Sequence, residues 1–336
     1  MIYYLHPLIN SYTPTGGILK IFDHIRWLEK SGLKVAPCFY KDDVFKTDHP
    51  VSRIKKRMIR LKWAGLGCDS LAFSYLVKII NSKDVVVIPE IRPHLIQYVK
   101  NAGKKVCFVQ NWHRIKPASF GLGKSQSYAS LGFDYIITCG DFLSQYVKGQ
   151  VKSRGGGNHT AGPIPVFTVN NSVNHRIFFR DDSKKKTGRI ILLPRKGKKY
   201  VNRIIRKCRG LPFTIKVIHS HISQEKLAEQ FRLSDIYIHT GFPEGFALPP
   251  LEAQACGCLV LGFTGGGGAE NMIHKKTSLV SPDGNVRDVI RNLQKILKDK
   301  ELKESLRENG YQNAIHHSQD NERKKLMQAF KAILSS

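Results

Sequence analysis

Two glutamates in the second half of the chain, Glu244 and Glu252, are the residues whose type and spacing best suit chemistry. The segment between them contains Pro249 and Pro250, which favour the first turn of a helix because the N–H that proline lacks has no helical partner there. A tight loop before that turn brings both carboxylates to one pocket. Ionised carboxylates only accept hydrogen bonds. The pair therefore suits the binding of sugar or ribose hydroxyl groups.

The elements that must position these glutamates are predicted as strand, loop, helix and strand. A β-branched run at 236–239 precedes the loop, and another at 259–263 follows the helix. A helix that begins at the carboxyl edge of a parallel sheet directs its free N–H groups and its positive dipole end towards a bound ligand. The loop is thus placed to bind phosphate or sugar oxygens. In the alternative interpretation, Glu252 only complements the helix dipole and Glu244 is a solvated loop residue.

The same alternation of short strands and helical segments runs along all 336 residues. It predicts an α/β protein with parallel sheets covered by helices, and the length suits two domains. We expect two Rossmann-like domains facing a cleft, over residues 1–180 and 181–320, because the charged stretch RDDSKKKTG marks a boundary. Residues 321–336 are predicted to form a helix that packs its apolar stripe back on the first domain. The further predicted strands lie at 1–5, 33–39, 85–88, 106–109, 135–138, 190–193 and 214–218.

The segment EGFALPPLEA, with seven residues between its glutamates, resembles the signature of GT-B glycosyltransferases of retaining family four, the glycosyl transferases group 1. The Gly-rich turn in CGCLVLGFTGGGGAEN is similar to that family's turn before a glutamate. The resemblance implies a hexosyltransferase whose donor is a nucleotide diphosphate sugar, such as a UDP- or GDP-sugar. On this basis Glu252 holds the ribose and Glu244 approaches the transferred sugar. The loop residues whose backbone N–H groups bind sugar oxygens are then Phe246, Ala247 and Leu248.

A basic turn, PRKGKKY at 194–200, supplies positive charge after the predicted strand at 190–193. A leaving nucleoside diphosphate gains negative charge that fixed cations stabilise. The resemblance implies an arginine at this strand end, matched by Arg195, and a lysine a few residues on. Lys196, Lys198 and Lys199 are the candidates for that lysine, although the family's usual separation falls on Tyr200. A solvated basic run is the alternative. Because no Asp-x-Asp motif stands at a strand end, we expect neither a metal nor another cofactor.

In the first half the resemblance is only architectural. Gly16 and Gly17 stand at the first strand–helix junction, where the family has a Gly-rich loop close to the donor phosphates or the acceptor. A structural turn explains a glycine pair about as well. His113, in FVQNWHRIKP, is our candidate for a contact to the sugar, with Gln110 and Asn111 as alternatives.

The charge balance is strongly basic, with 54 Lys and Arg against 26 Asp and Glu and a formal charge of +28. Such a surface attracts nucleotide phosphates, acidic lipids or nucleic acid. The main alternative function is therefore a basic nucleic-acid-binding protein, or a GT-B enzyme that glycosylates DNA. No known nucleic-acid-binding module is recognisable in the sequence.

A basic stretch, VSRIKKRMIRLKWAGLG at 51–67, has the spacing of an amphipathic helix that suits an anionic membrane surface. The acceptor would then be a lipid-linked glycan, whereas an ordinary core-facing helix with a solvated basic face is the alternative. No apolar run approaches the ~20 residues of a membrane span, and the start lacks the layout of a signal peptide. We expect a cytoplasmic protein, peripheral on the inner membrane surface, whose seven cysteines bind no metal.

Overall fold

The chain divides into two compact units. The first comprises Met1–Cys139, Ser144–Val169 and Arg323–Ser336, and the second comprises Gly140–Leu143 and Asn170–Glu322. The computed structural model describes residues 1–7, 16–40, 58–60, 69–111, 131–152, 164–183, 188–220 and 222–336.

The first unit is built on an eight-stranded sheet with the order β3-β4-β2-β1-β5-β6-β7-β8. All neighbouring strands are parallel except β3 and β4, which are antiparallel. Its strands are β1 (Ile2–Pro7), β2 (Val35–Tyr40), β3 (Met58–Arg60), β4 (Asp69–Ala72), β5 (Val85–Pro89), β6 (Lys104–Val109), β7 (Tyr135–Thr138) and β8 (Val166–Thr168). Its helices are α1 (Gly16–Lys30), α2 (Phe73–Ile79) and a 3₁₀ helix (Pro93–Tyr98), and α3 (Asp141–Lys152) begins in the second unit.

Helix α1 shows why the sequence pattern was informative in this unit. Ile21, Phe22, Ile25 and Leu28 recur at helical spacing, and all four are buried. The helix ends just before Gly32, whose φ of +87° is readily adopted only by glycine. The apolar stripe therefore fixes this helix on the sheet.

The predicted amphipathic helix at 51–67 is wrong over Met58–Arg60. These three residues form strand β3, with Met58 opposite Leu71 and Arg60 opposite Asp69. The free edge of β4 offers backbone groups to pair with, and a strand satisfies them where a helix would not. The other residues of the stretch, 51–57 and 61–67, lie outside the described residues.

The second unit carries a five-stranded parallel sheet with the order β10-β9-β11-β12-β13. Strands β9, β11 and β12 lie side by side, so the turns that follow them meet at one carboxyl edge. The strands are β9 (Arg189–Leu192), β10 (Thr214–Val217), β11 (Ile236–His239), β12 (Leu259–Gly262) and β13 (Ser278–Val280). The helices are α4 (Lys198–Lys207), α5 (Gln224–Arg232), α6 (Leu248–Ala255), α7 (Val286–Lys298), α8 (Lys300–His316) and the start of α9 (Gln319–Ser335).

The last fourteen residues, within α9, group with the first unit. The Phe330 ring lies 6.1 Å from that of Tyr4 on β1, centroid to centroid, and the Lys104 ammonium donates to the Ile333 carbonyl. The second unit also takes in 170–180, which we assigned to the first domain. Within this segment, the N–H of Val173 donates to the carbonyl of His317, also in the second unit, at 2.9 Å.

Two parallel sheets flanked by helices confirm the predicted fold class. None of the helices in the described ranges is long and apolar enough to cross a membrane. Six cysteines, all those within the described residues, are buried.

Candidate functional site

The two motif glutamates lie at the carboxyl edge of the second sheet. Glu244 is half-buried in the loop between β11 and α6, and Glu252 lies in α6 with 8% of its surface exposed. Helix α6 begins at Leu248, and prolines occupy its first turn, as predicted. Pro249 and Pro250 thus favour the start of the helix at this point between the glutamates.

The loop before α6 is held in an unusual backbone conformation. Ala247, which precedes the helix, has φ of +59°, a region that non-glycine residues rarely adopt. The Asn271 side chain donates from Nδ2 to the carbonyls of Phe246, at 2.7 Å, and Ala247, at 3.2 Å. Because the side chains of Phe246 and Ala247 are buried, only the backbone of this stretch can meet a ligand.

The Gly-rich turn after β12 supports the same loop from the side. The N–H of Glu244 donates to the Gly265 carbonyl at 2.7 Å, and the N–H of Gly267 donates to the Glu244 carbonyl at 3.0 Å. A Cβ atom at Gly267 would lie 1.7 Å from the carbonyl oxygen of Gly245. This close approach requires glycine at position 267, so the turn and the loop form one packed assembly.

The basic turn between β9 and α4 meets Glu244. Lys196 Nζ lies 2.8 Å from Glu244 Oε2 and donates to the carbonyl of Pro243, also at 2.8 Å. Arg195 is exposed beside it, whereas the Lys199 ammonium lies 4.9 Å from the centre of the Tyr200 ring. The structure therefore brings Lys196, among the candidate lysines, to the motif glutamate.

Gly197 lets this turn lie against the end of β11. Its φ is +78°, and a Cβ atom there would lie 2.3 Å from the carbonyl oxygen of Thr240. The Thr240 hydroxyl in turn donates to the Lys196 carbonyl at 3.4 Å. A side chain at position 197 would push the turn away and take Lys196 off Glu244.

Beneath Glu244, strand β11 contributes Tyr237 and His239, two buried side chains that the sequence analysis did not select. Tyr237 Oη lies 2.9 Å from His239 Nδ1. Burial lowers the pKa of His239 to about 4, although the nearby negative charge of Glu244 opposes that shift. Burial, with the charges of Glu244 and Glu252, holds the pKa of Tyr237 well above 10. Both groups are therefore neutral at neutral pH.

The glutamate at the end of the Gly-rich turn, Glu270, also has a defined role. One of its carboxylate oxygens accepts from the Phe142 N–H at 2.6 Å, at the start of α3, and the other accepts from Asn170 Nδ2 at 3.3 Å. Burial raises the pKa of this carboxyl. Gly140 makes room for it, because a Cβ atom there would lie 2.5 Å from Glu270 Oε1. Glu270 thus ties the Gly-rich turn to the segment 140–143.

In the first unit, the structure places two of the predicted residues at the end of the first sheet. Gly16 and Gly17 begin helix α1, and a Cβ atom at Gly17 would lie 2.5 Å from Gln110 Oε1. Asn111, one residue on, donates from Nδ2 to Oε1 of buried Glu90 at 2.9 Å. His113 lies outside the described residues.

Within the described part of the chain, no group of three or more His, Cys, Asp or Glu side chains is arranged to hold a metal ion.

Asn271 offers a first test of how the loop is held. Replacing it by alanine removes both hydrogen bonds to the Phe246 and Ala247 carbonyls, and we expect the free energy of unfolding to fall by about 2–3 kcal/mol. The measurement is urea denaturation followed by circular dichroism. Asn202→Ala, at an exposed position on α4, is the control and should change stability by less than about 0.5 kcal/mol. Equal stability of the two variants would contradict the assignment.

Part of the second unit is similar to a known family. Residues 197–313 match the model of the family described as glycosyl transferases group 1. A D-inositol 3-phosphate glycosyltransferase from Jonesia denitrificans is 35% identical over 94 residues, which is 28% of this chain and 22% of that relative. The chain thus matches less than a quarter of the length of this curated relative.

Solved structures resemble the whole chain at low identity. Sucrose-phosphate synthase from Thermosynechococcus elongatus matches with a TM-score of 0.70 and 14% identity, covering 99% of both chains. A pneumococcal O-GlcNAc transferase, GtfA, solved with UDP and GlcNAc, matches at 0.68 and 11%, covering 100% of this chain and 99% of its own. HepE from Anabaena, solved with UDP-glucose, matches at 0.67 and 12%, covering 98% and 99%.

These similarities agree with the site built from the residues. The family match covers the end of the basic turn, both motif glutamates and the Gly-rich turn, while the structural matches extend over both units. The chain therefore has the GT-B fold, and its residues 197–313 match the model of the glycosyl transferases group 1 family.

Proposed function

We propose that the protein is a glycosyltransferase that moves a sugar, with retention of configuration, from a nucleotide diphosphate sugar to a hydroxyl acceptor. The observation that carries the proposal is the ion pair between Lys196 and Glu244, at a helix start that also carries Glu252. Positive charge, two carboxylates and a helix N-terminus there meet the needs of a diphosphate, a sugar and a ribose.

The nucleoside part of the donor is bound at Glu252. Its carboxylate accepts hydrogen bonds from the two ribose hydroxyls, while backbone N–H groups from Phe246 to Leu248 bind oxygens of the sugar. Solved relatives support this donor class, since GtfA was crystallised with UDP and HepE with UDP-glucose. A UDP- or GDP-sugar is the donor that we propose.

The diphosphate is the leaving group. Arg195 and Lys196 stabilise the negative charge that it gains as its bond to the anomeric carbon breaks. The acceptor oxygen forms the new bond to that carbon on the same face, and its proton passes to the departing phosphate. No protein nucleophile takes part. Because the two basic side chains supply the positive charge, the reaction as proposed needs no metal ion.

The acceptor is a glycan or a lipid-linked glycan, which we assign to the first unit. The end of that unit's sheet presents Gln110 and Asn111, whose amide groups are suited to hydroxyls, and buried Glu90 accepts a hydrogen bond from Asn111. The formal charge of +28 also favours an anionic membrane surface as a partner in this assignment.

Nucleotide binding by a Glu252 variant tests the proposal. Glu252→Ala removes the acceptor of the ribose hydroxyls, and we expect the Kd for UDP or GDP to rise roughly 10- to 100-fold, since hydrogen bonds to charged groups contribute about 1.5–3 kcal/mol. Isothermal titration calorimetry measures this Kd. Glu301→Ala, at an exposed position at the start of α8, serves as the control and should bind like the wild type.

Two different results would count against these assignments, one against the proposed function and the other against the role of Glu252 alone. A wild-type protein that binds neither diphosphate, and releases none from UDP-glucose, UDP-N-acetylglucosamine or GDP-mannose, would refute the proposed function. A Glu252→Ala variant that binds as tightly as the wild type would refute only the role given to that residue.

A further inference from the structure

Strand β11 carries a histidine–tyrosine pair beneath the motif loop. Tyr237 and His239 are two residues apart on the strand, so their side chains point to the same face of the sheet. The exposed fractions of these residues are 1% and 3%. Tyr237 Oη and His239 Nδ1 lie 2.9 Å apart. The pair fixes the orientation of the imidazole ring.

The other ring nitrogen, Nε2 of His239, is buried and has no hydrogen-bond partner among the described residues. Buried polar atoms in native proteins are nearly always hydrogen-bonded, and an exception at a candidate active site calls for a functional explanation. Nε2 is thus available to a group that moves into place during function.

Glu244 is the group next to this nitrogen. A Cβ atom at Gly241 would lie 2.5 Å from Glu244 Oε1 and 2.7 Å from His239 Nε2, so these two atoms are at most about 5.2 Å apart. Lys196 binds the other carboxylate oxygen, Oε2, at 2.8 Å. One carboxylate oxygen is therefore bound by an ammonium group, and the other lies close to a neutral imidazole.

The protonation of the pair follows from its surroundings. His239 has a pKa of about 4 because it is buried, so at neutral pH only one ring nitrogen carries hydrogen. Tyr237, with its pKa held well above 10, keeps its hydroxyl proton and can donate it to Nδ1. The negative charge of Glu244 favours the tautomer with hydrogen on Nε2. The ring then presents a hydrogen-bond donor to the carboxylate.

We propose that His239, held by Tyr237, is a positioning residue for Glu244. When the donor diphosphate draws Lys196 away, a small rotation of the Glu244 side chain lets Oε1 accept from His239 Nε2. The carboxylate then stays oriented towards the sugar while its ion pair is broken. This inference rests on the proposed function, because it needs a diphosphate that competes for Lys196.

Two substitutions of His239 separate positioning from packing. His239→Leu removes the donor, and we expect kcat for diphosphate release from UDP-glucose, or from the most active donor of the panel above, to fall about 10- to 100-fold. The Kd for UDP should stay within about twofold, because Glu252 and the basic turn are untouched. His239→Gln restores an amide N–H near the position of Nε2 and should recover most of kcat. Tyr237→Phe should also lower kcat, by a smaller factor than His239→Leu.

A tautomer measurement on the free protein tests the pair without any donor. Two-bond ¹H–¹⁵N spectra should show His239 neutral, with hydrogen on Nε2, and Tyr237→Phe should shift this towards Nδ1. Hydrogen on Nδ1 in the wild type would overturn the inference, as would equal kcat values for the Leu and Gln variants. If the wild type neither binds UDP or GDP nor releases diphosphate from any donor of the panel, the proposed function itself fails, and the positioning role fails with it.

Discussion

Replacing Lys196 by methionine is expected to lower kcat for sugar transfer by roughly 10²–10³, the loss seen when one preorganised group that stabilises transition-state charge is removed. Lys196 Nζ lies 2.8 Å from Glu244 Oε2, so it holds the carboxylate before the donor binds and supplies positive charge afterwards. Methionine keeps most of the apolar stem and removes the charge. Binding of UDP should weaken much less, since exposed Arg195 remains.

Steady-state kinetics and UDP calorimetry on the same preparations measure this difference. Lys207→Met, at the exposed far end of α4, is the matched control and should keep wild-type kinetics. A double-mutant cycle with Glu244→Gln tests whether the two side chains act together, and we expect the combined loss to be smaller than the product of the single losses. Unchanged kcat in Lys196→Met would remove this lysine from the proposed reaction.

The proline-marked loop was predictable because its signals are local. Pro249 and Pro250 fix a helix start within a few residues of where they stand, and the structure begins α6 at Leu248. The central strands were predictable for a similar reason, since each is a short β-branched run such as Ile236–His239. A sequence pattern that spans about five residues is therefore enough to predict such elements.

The choice of lysine could not be made from the sequence. Lys196 and Lys199 are three residues apart in a basic run, and nothing local distinguishes them. The difference arises because Gly197 has φ of +78° and lies against the Thr240 carbonyl, which leaves Lys196 beside Glu244. That contact joins residues more than forty positions apart in the chain.

The residues that hold the motif loop in place were missed because they, too, contact it from distant positions in the chain. Asn271 reads in sequence as a polar residue after a Gly-rich turn, yet its side chain holds two carbonyls of the loop before α6. His239 reads as the end of a strand. The edge strands β3, β8 and β13 were also missed, since each has three residues, too few for an alternating pattern to show. Contacts distant in sequence therefore account for most of what the sequence did not predict.

Gly267→Ala should have the largest effect on stability. The added Cβ atom would lie 1.7 Å from the carbonyl oxygen of Gly245, and a backbone atom cannot turn away as a side-chain end can. Either the Gly-rich turn or the loop after Glu244 must shift, which breaks the hydrogen bond from the Gly267 N–H to the Glu244 carbonyl. We expect the free energy of unfolding of the second unit to fall by about 3 kcal/mol or more, at the upper end of overpacking costs.

The same shift moves Glu244 and the loop amides, so the Kd for UDP should rise by more than about 100-fold. This rise should be larger than the loss of binding caused by any unfolded fraction of the variant. Thermal unfolding and calorimetry at a temperature where the variant is folded separate the two effects. Gly149→Ala is the matched control, because Gly149 is exposed in α3, with no neighbouring atom within 4 Å of an added Cβ. Alanine there should stabilise the helix by up to about 1 kcal/mol. Wild-type stability and UDP affinity in Gly267→Ala would mean that the turn and the loop adapt without cost, and that their close packing does not hold Glu244 in place.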